Sequence, residues 1–454
     1  GESDQSENRW DRIDYYVLMG LIGLGLLVFA QLWLPDLVLV KRDAFRFFLP
    51  IKQYIHERLA AGQLPQWFPY EGLGRPFIGI PVTGVFHPFT LLYWFMPVHE
   101  AYRLSTLLAC LAAVTGMYCL GRNLGYARVG AVASSAIVLC SGYMFSLTEN
   151  LVYLYSFSML PLFCLCLERI ADGNGRWVAV GALVWASVFL NGDIQTGYYY
   201  GFVAMAWGFS RSSQPWARTA CFLAGLACLT VLIAGVQLGP SWAVHIHSDR
   251  ASGTGFHEQA VYWSTHPLRL LTLVAGPVGL EEDHDHIAAS YFGSFRPGRP
   301  ACGYWAESLY LGVPAVVFAW LGIRARRDLR FVSVLGGVAL ILAMGKYAGL
   351  YEIAYRTVPL WSAFRYPERL MAIVTFAVSL YAGAGIESLR RDAVSIWPWM
   401  LIALVCFGLS GLFFLAQDNS WLRALETRPG LGVRFAQSVS LAWLYSAGTG
   451  FAVG

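Results

Sequence analysis

The chain has 454 residues, 57% of them apolar and 13% charged, where soluble globular proteins carry roughly 45–50% and about 25%, so an ordinary soluble enzyme is excluded. Its 32 basic and 28 acidic side chains leave a net charge of only +4, too little for a nucleic-acid-binding surface. Aromatic residues at 15%, with 17 Trp, suit a chain with many membrane interfaces.

From the N-terminus, Gly1 to Asp14 is polar and of mixed charge, without the basic segment of a cleaved signal, so the first apolar run is read as a retained span. A bilayer core needs about 20 apolar residues per helix. Runs of that kind fall near Tyr15 to Pro35, Leu104 to Leu120, Val129 to Phe145, Leu151 to Leu167, Trp177 to Leu190 and Thr196 to Phe209. They continue at Ala217 to Leu238, Leu309 to Ile323, Phe331 to Met344, Leu370 to Ile386, Ile396 to Ala416 and Phe435 to Val453. The architecture expected is an all-α polytopic membrane protein with about 10–12 transmembrane helices.

Alternate turns hold Arg122 and Arg128, Arg169 and Arg176, Arg211 and Arg218, Arg324 to Arg330, and Arg390 with Arg391. Basic residues concentrate on the cytoplasmic side, which places the N-terminus inside and Ser146 to Asn150 and Asn191 to Gln195 outside. Residues 1–14 form a cytoplasmic tail, 15–416 a transmembrane domain with external loops 41–100, 239–307 and 346–369, and 417–454 an external amphipathic segment with a last span. All nine histidines fall in the first two external loops. The cysteines lie in apolar runs apart from Cys302, with no disulfide framework and no metal-binding pair.

In the first loop, Asp43 precedes Phe47, Phe48, Ile51, Ile55 and Leu59, with Arg46, Lys52, Gln53, His56 and Glu57 between them. That spacing predicts an amphipathic helix on the outer membrane face, with Asp43 either capping it or free for chemistry. The run Leu64, Pro65, Gln66, Trp67, Phe68, Pro69, Tyr70, Glu71, Gly72, Leu73, Gly74, Arg75, Pro76 then predicts an ordered, turn-rich loop, followed by Phe86, His87 and Pro88.

With these residues the chain resembles the YfhO-type bacterial membrane proteins of the GT-C superfamily of polytopic glycosyltransferases. The likeness continues through Gly116-Met117-Tyr118, Ser141-Gly142-Tyr143, Leu160-Pro161 and Glu168-Arg169. It reaches Phe364-Arg365-Tyr366-Pro367-Glu368-Arg369 and Ala382-Gly383-Ala384-Gly385-Ile386-Glu387, and so covers most of Asp43 to Leu389.

The resemblance implies transfer of a sugar from a polyprenyl-phosphate donor to an acceptor glycan, lipid or protein at the outer face of the bacterial cytoplasmic membrane, with Asp43 as general base. An attacking hydroxyl must lose a proton and a departing lipid phosphate needs cations. Arg365 and Arg369, four residues apart at the mouth of a span, are the expected phosphate ligands, the other reading being interfacial side chains paired with Glu368.

Glu149, Asn150, Asp193 and Gln195, at the outer ends of consecutive spans, are expected to line a substrate cavity with Trp67, Tyr70 and His87, and His257 and Glu258 to help bind the acceptor. Where the family has histidine near an A-G-H-P-Q-like run, this chain reads Leu190-Asn191-Gly192-Asp193-Ile194-Gln195. Asp283, His284, Asp285 and His286 form the candidate site for a divalent cation, the other reading being a solvated loop. The glycine pairs Gly336-Gly337 and Gly383 with Gly385 predict close helix packing. The competing function is a non-catalytic accessory subunit that keeps the GT-C fold within a larger membrane complex; the departure at Asn191 to Gln195, and the end of the chain at Gly454 inside an apolar run, favour it.

Overall fold

The computed structural model describes residues 11–33, 43–248, 256–275 and 305–392, and they form two compact units. The spans expected at Ile396 to Ala416 and Phe435 to Val453 lie outside the described residues. The expected spans before them each contain a helix, although the one at Val129 to Phe145 is broken in two.

The first unit, Gly1–Leu139 with Leu147–Thr254, contains α1 (Arg12–Val28), α2 (Leu49–Ala60), α3 (Val98–Asn123), α4 (Arg128–Leu139), α5 (Leu151–Ala171), α6 (Arg176–Leu190), α7 (Ile194–Arg211) and α8 (Trp216–His245). Helices α3, α5 and α8 are long and apolar enough to cross a membrane. The apolar window of α5 is 83% buried and that of α8 only 22%, so α5 is the unit's central helix while α8 is mostly uncovered by the described residues. Pro161 sits inside α5, where it removes a backbone donor. Beside it, a Cβ on Gly116 would stand 3.1 Å from Leu162 N, so α3 approaches α5 at a position that has room for no side chain.

Charge buried among these helices is paired over long sequence distances. Asp14 is fully buried; its Oδ1 accepts from Tyr118 Oη at 2.7 Å and Arg122 Nε at 2.8 Å. Arg122 is also buried and donates to Tyr126 O. The basic residue that marks this turn in the sequence is therefore a bolt between α1 and α3. Removing one partner leaves an uncompensated buried charge, which costs about 3–5 kcal/mol. Asp14→Asn is expected to lower stability by that order, and Asp14→Asn with Arg122→Gln by less than the sum of the single changes. Additive losses in thermal unfolding of the purified protein would rule out the coupling. Glu168 on α5 repeats the device, accepting from Trp207 Nε1 at 2.6 Å and from Arg211.

The first loop is ordered as its proline and glycine content predicts. Strands β1 (Trp67–Phe68) and β2 (Arg75–Pro76) pair antiparallel, and the turn between them uses Gly72 and Gly74 at φ 58° and 89°. The rings of Tyr54, Phe68, Tyr70 and Phe77 pack edge to face or tilted. The apolar side of α2 was expected to rest on the membrane. Instead Ile51, Tyr54 and Ile55 are buried with Phe68, Phe77 and Val85 of the loop itself.

The second unit comprises Cys140–Ser146 and Gly255–Gly454, with α9 (Val313–Ala325), α10 (Arg330–Ala343), α11 (Leu350–Thr357) and α12 (Met371–Asp392). The run expected as one span, Val129 to Phe145, is broken: α4 ends at Leu139 and a short helix restarts at Gly142. Gly142 N donates to Tyr310 O at 2.7 Å, and a Cβ there would lie 2.1 Å from Ser308 Oγ. The chain at Ser308 to Tyr310 thus passes where a side chain would have stood. Helices α9 and α12 cross at two glycines: a Cβ on Gly322 would lie 1.9 Å from Tyr381 O, and one on Gly385 1.9 Å from Phe318 O. Close backbone approach through small residues is how membrane helices pack without a hydrophobic driving force.

Candidate functional site

Asp43 opens a π-helical turn, Ala44–Phe48, that runs into α2. Such turns are rare and gather at functional sites. Asp43 has helical φ and ψ of −71° and −20° and makes no side-chain capping bond, so the capping reading does not hold. Its carboxylate is exposed, and Asn150 Nδ2 donates to Oδ2 at 3.5 Å, a long contact that leaves the oxygens available. Asn150 precedes α5 and Glu149 stands next to it, half-buried. Beneath them Tyr102 of α3 accepts from Leu151 N at 3.4 Å. The first loop and the turn before α5 thus meet at one carboxylate.

The turn between α6 and α7 also touches this loop. A Cβ on Gly192 (φ 104°) would lie 2.2 Å from Pro81 O, and one on Gly84 (φ 62°) 3.2 Å from Asn191 O and 3.3 Å from Lys52 Nζ. Asn191 Nδ2 donates to Val152 O, which ties the turn to α5. Asp193 is buried and accepts from Thr196 N as the cap of α7. Gln195 is buried and donates to Tyr199 Oη. These two expected cavity residues have a local structural task.

Lys52, expected on a polar face, is only 6% exposed. Its Nζ donates to Thr83 O at 2.8 Å and lies 5.3 Å from the Tyr93 ring centre. Burial pushes its pKa down to about 8. His87 is likewise buried, and desolvation, with Lys52 adding repulsion, pushes its pKa down to about 3. The neutral ring accepts from Phe89 N at Nδ1, packs edge-on against Tyr155, and leaves Nε2 without a partner among the described residues.

The Lys52 shift sets a pH dependence. Its folded-state pKa lies below the unfolded value near 10.4, so between about 8 and 10.4 the unfolded chain holds a proton that the folded chain has released. Stability contributed by this group therefore rises with pH across that window. Lys52→Met is expected to remove that rise, read as the difference between the two proteins' unfolding temperatures at pH 7.5 and 10. An unchanged difference across pH would count against it.

Trp67 and Tyr70 are displayed on the hairpin at 52% and 74% exposure. A Cβ on Gly74 would lie 2.3 Å from Trp67 Nε1, so the glycine makes room for the indole.

In the second unit, Glu368 is 1% exposed and its cationic partner is Arg269, not Arg365 or Arg369. This corrects the expectation of an interfacial Glu368 pair. The carboxylate also accepts from Thr265 Oγ1 at 3.2 Å, Trp305 N at 3.0 Å and Ala306 N at 2.8 Å. Arg365 lies over the Tyr366 ring at 4.4 Å and Arg369 over Trp305 at 5.5 Å. His257 is exposed, with Nε2 2.5 Å from Glu352 Oε2, and Glu352 also accepts from Arg356 Nε. The His257 bond, then Arg356, holds the Glu352 carboxyl below its usual range. Glu258 is exposed on a single helical turn. The candidate cation ligands Asp283, His284, Asp285 and His286 lie outside the described residues, and among the described ones no three His, Cys, Asp or Glu side chains are gathered to hold a metal ion.

Sequence reasoning missed Lys52 and Arg269. Both lie in stretches that read as solvated, and the groups that hold their charged ends, Thr83 O and Glu368, are 31 and 99 residues away.

No family model and no curated protein matches the sequence. The fold is similar to the crystal structure of ArnT from Cupriavidus metallidurans in the apo state, with a TM-score of 0.50 and 14% identity over 96% of this chain and 76% of that one. At that identity the likeness concerns the fold alone: the chain is a polytopic, helical membrane protein with a GT-C-like architecture.

Proposed function

We propose that the protein is a glycosyltransferase that moves a sugar from a polyprenyl-phosphate donor to an acceptor at the outer face of the cytoplasmic membrane, as the resemblance to the YfhO-type family implies. The observation that carries this reading is Asp43: an exposed carboxylate at a π-turn, without a side-chain capping bond and 3.5 Å from Asn150, in a protein with a GT-C-like fold. Its task is to take the proton from the acceptor hydroxyl as the oxygen attacks the anomeric carbon. The departing phosphate needs its charge stabilised by cationic groups. The alternating arginine-rich turns support an outward-facing site. The test is transfer from a polyprenyl-phosphate sugar by the purified protein and by Asp43→Asn; undiminished transfer by the variant would sink the mechanism.

A non-catalytic subunit that keeps the fold is the second reading. It is favoured by the α6–α7 turn, where Asp193 Oδ1 caps α7, Gln195 bonds Tyr199, and the family's histidine is replaced. Absence of transfer by the wild-type protein, with stoichiometric partners recovered in gentle detergent, would select it.

A further inference from the structure

We propose that the cavity between α2 and the start of α3 binds a membrane lipid whose headgroup ends in a primary ammonium, an aminophospholipid. The inference is independent of the glycosyltransferase reading and concerns a different ligand.

The cavity has a volume of about 420 Å³, within the range of small-ligand sites, and lies inside the first unit. It is lined by Gln53 and His56 of α2 and by Trp94, Phe95, Met96 and Val98 of the segment that leads into α3.

The hydrogen-bonding sense of the polar lining follows from the partners these groups already have. His56 Nδ1 lies 2.6 Å from Tyr93 O. A carbonyl oxygen only accepts, so Nδ1 carries the proton, and Nε2 of the neutral ring is an acceptor without a partner among the described residues. Gln53 Nε2 donates to Glu57 Oε1 at 2.9 Å, which leaves Gln53 Oε1 as a second acceptor and sets a carboxylate beside it. No lysine or arginine is among the lining residues. Such a cavity suits a cation that donates several hydrogen bonds and offers an anion no fixed counter-charge.

The apolar lining points to an amphiphile. Trp94 and Phe95 stack at 5.9 Å and are 50% and 79% exposed, and Leu91 is exposed with them. All three come just before Val98, where α3 begins, and α3 is long and apolar enough to cross a membrane. Large amphipathic rings at the end of a spanning helix sit at the level of the lipid headgroups. A soluble amine would make no use of these side chains, and an anionic lipid none of the acceptors. The site also has a structural consequence. Met96 and Val98 pack with Ala44, Phe48 and Leu49, the turn that follows Asp43, so a lipid held here braces that turn.

The test compares three lipids with the same dioleoyl chains for binding to the full-length protein in detergent, read by mass spectrometry of the intact complex. Phosphatidylethanolamine carries the primary ammonium, phosphatidylcholine a quaternary one that donates no hydrogen bond, and phosphatidylglycerol no cation. The measurement is made at about pH 8, where free imidazole is neutral. Phosphatidylethanolamine is expected to bind about tenfold more tightly than either of the others, the effect of one charge-assisted hydrogen bond. Gln53→Lys sets a cation at the cavity that can pair with Glu57. It should abolish the preference while leaving the unfolding temperature in lipid-free detergent unchanged, since Gln53 is exposed. His56→Phe removes the other acceptor and should reduce the preference. Glycerophosphoethanolamine, which lacks the chains, should not compete.

Equal binding of the three lipids, or tighter binding of phosphatidylglycerol, overturns the proposal. So does phosphatidylcholine binding as well as phosphatidylethanolamine, or a preference that survives Gln53→Lys. Competition by glycerophosphoethanolamine at the lipid's own concentration would make the ligand a soluble amine and likewise overturn it. Should Gln53→Lys not fold, His56→Phe takes its place; failure of both to fold makes the lining a packing element, which also overturns the proposal.

Discussion

Replacing Asp43 by Asn is expected to lower the turnover rate by about 10²–10⁴-fold, the range that a positioned general base supplies, with little change in donor affinity. The substitution keeps side-chain size and removes only the ability to accept a proton. Stability should be unaffected, because the carboxylate is exposed, makes no capping bond and meets Asn150 only at 3.5 Å. That separation makes the measurement interpretable: turnover and unfolding temperature are read on the same preparation. A fall in unfolding temperature that parallels the loss of activity would show a structural carboxylate and exclude the assignment. Asp43→Glu should recover part of the rate, since it restores a base at a shifted position.

Glu368→Gln is expected to destabilise the second unit by about 3–5 kcal/mol, the range for breaking a buried ion pair from one side. Few carboxylates are so fully used: both oxygens are occupied by Arg269, Thr265 and two backbone N–H groups. An amide turns one acceptor into a donor and aims it at groups that are themselves donors. It also takes from Arg269, 7% exposed, the carboxylate charge it is paired with. Pairing the change with Arg269→Gln should restore part of the loss. The same change should loosen the Tyr366 turn, because Glu368 N and the Trp305 backbone are held by this residue. A loss below about 1 kcal/mol in denaturant-induced unfolding would mean the pair contributes no more than an exposed one.

Much of the architecture is legible in the sequence, and the reason lies in the solvent. A bilayer core demands long uninterrupted apolar helices, so the positions of α3, α5, α8 and α12 follow from composition along short windows. The turn-rich loop is legible for a related reason: Pro65, Pro69, Gly72, Gly74 and Pro76 exclude any helix. The break at Cys140 to Ser141 is not legible, because it answers to the segment at Ser308 to Tyr310 passing beside Gly142, over 160 residues away in sequence. The apolar stripe of α2 is visible as well, but not whether lipid or protein covers it; the Phe68 and Phe77 rings decide that.

The candidate site divides in the same way. Asp43 and its neighbourhood stand out as a carboxylate after a span, but its release from capping duty depends on the π-turn that the chain adopts there. Lys52 and Glu368 look like ordinary solvated charges among polar neighbours. Their burial depends on Thr83 O and Tyr93 in one case, and on Arg269 in the other.

By itself the sequence determined that this is a helical membrane protein and roughly where its long apolar helices run, since hydrophobic burial is additive along a helix and needs no partner to be counted. Tertiary structure alone decided which of its few charges are spent on holding helices together and which remain exposed for chemistry. A charge is stabilised in a low-dielectric interior only by a specific partner, and here Asp14 finds Arg122 108 residues on, and Glu368 finds Arg269 99 residues back.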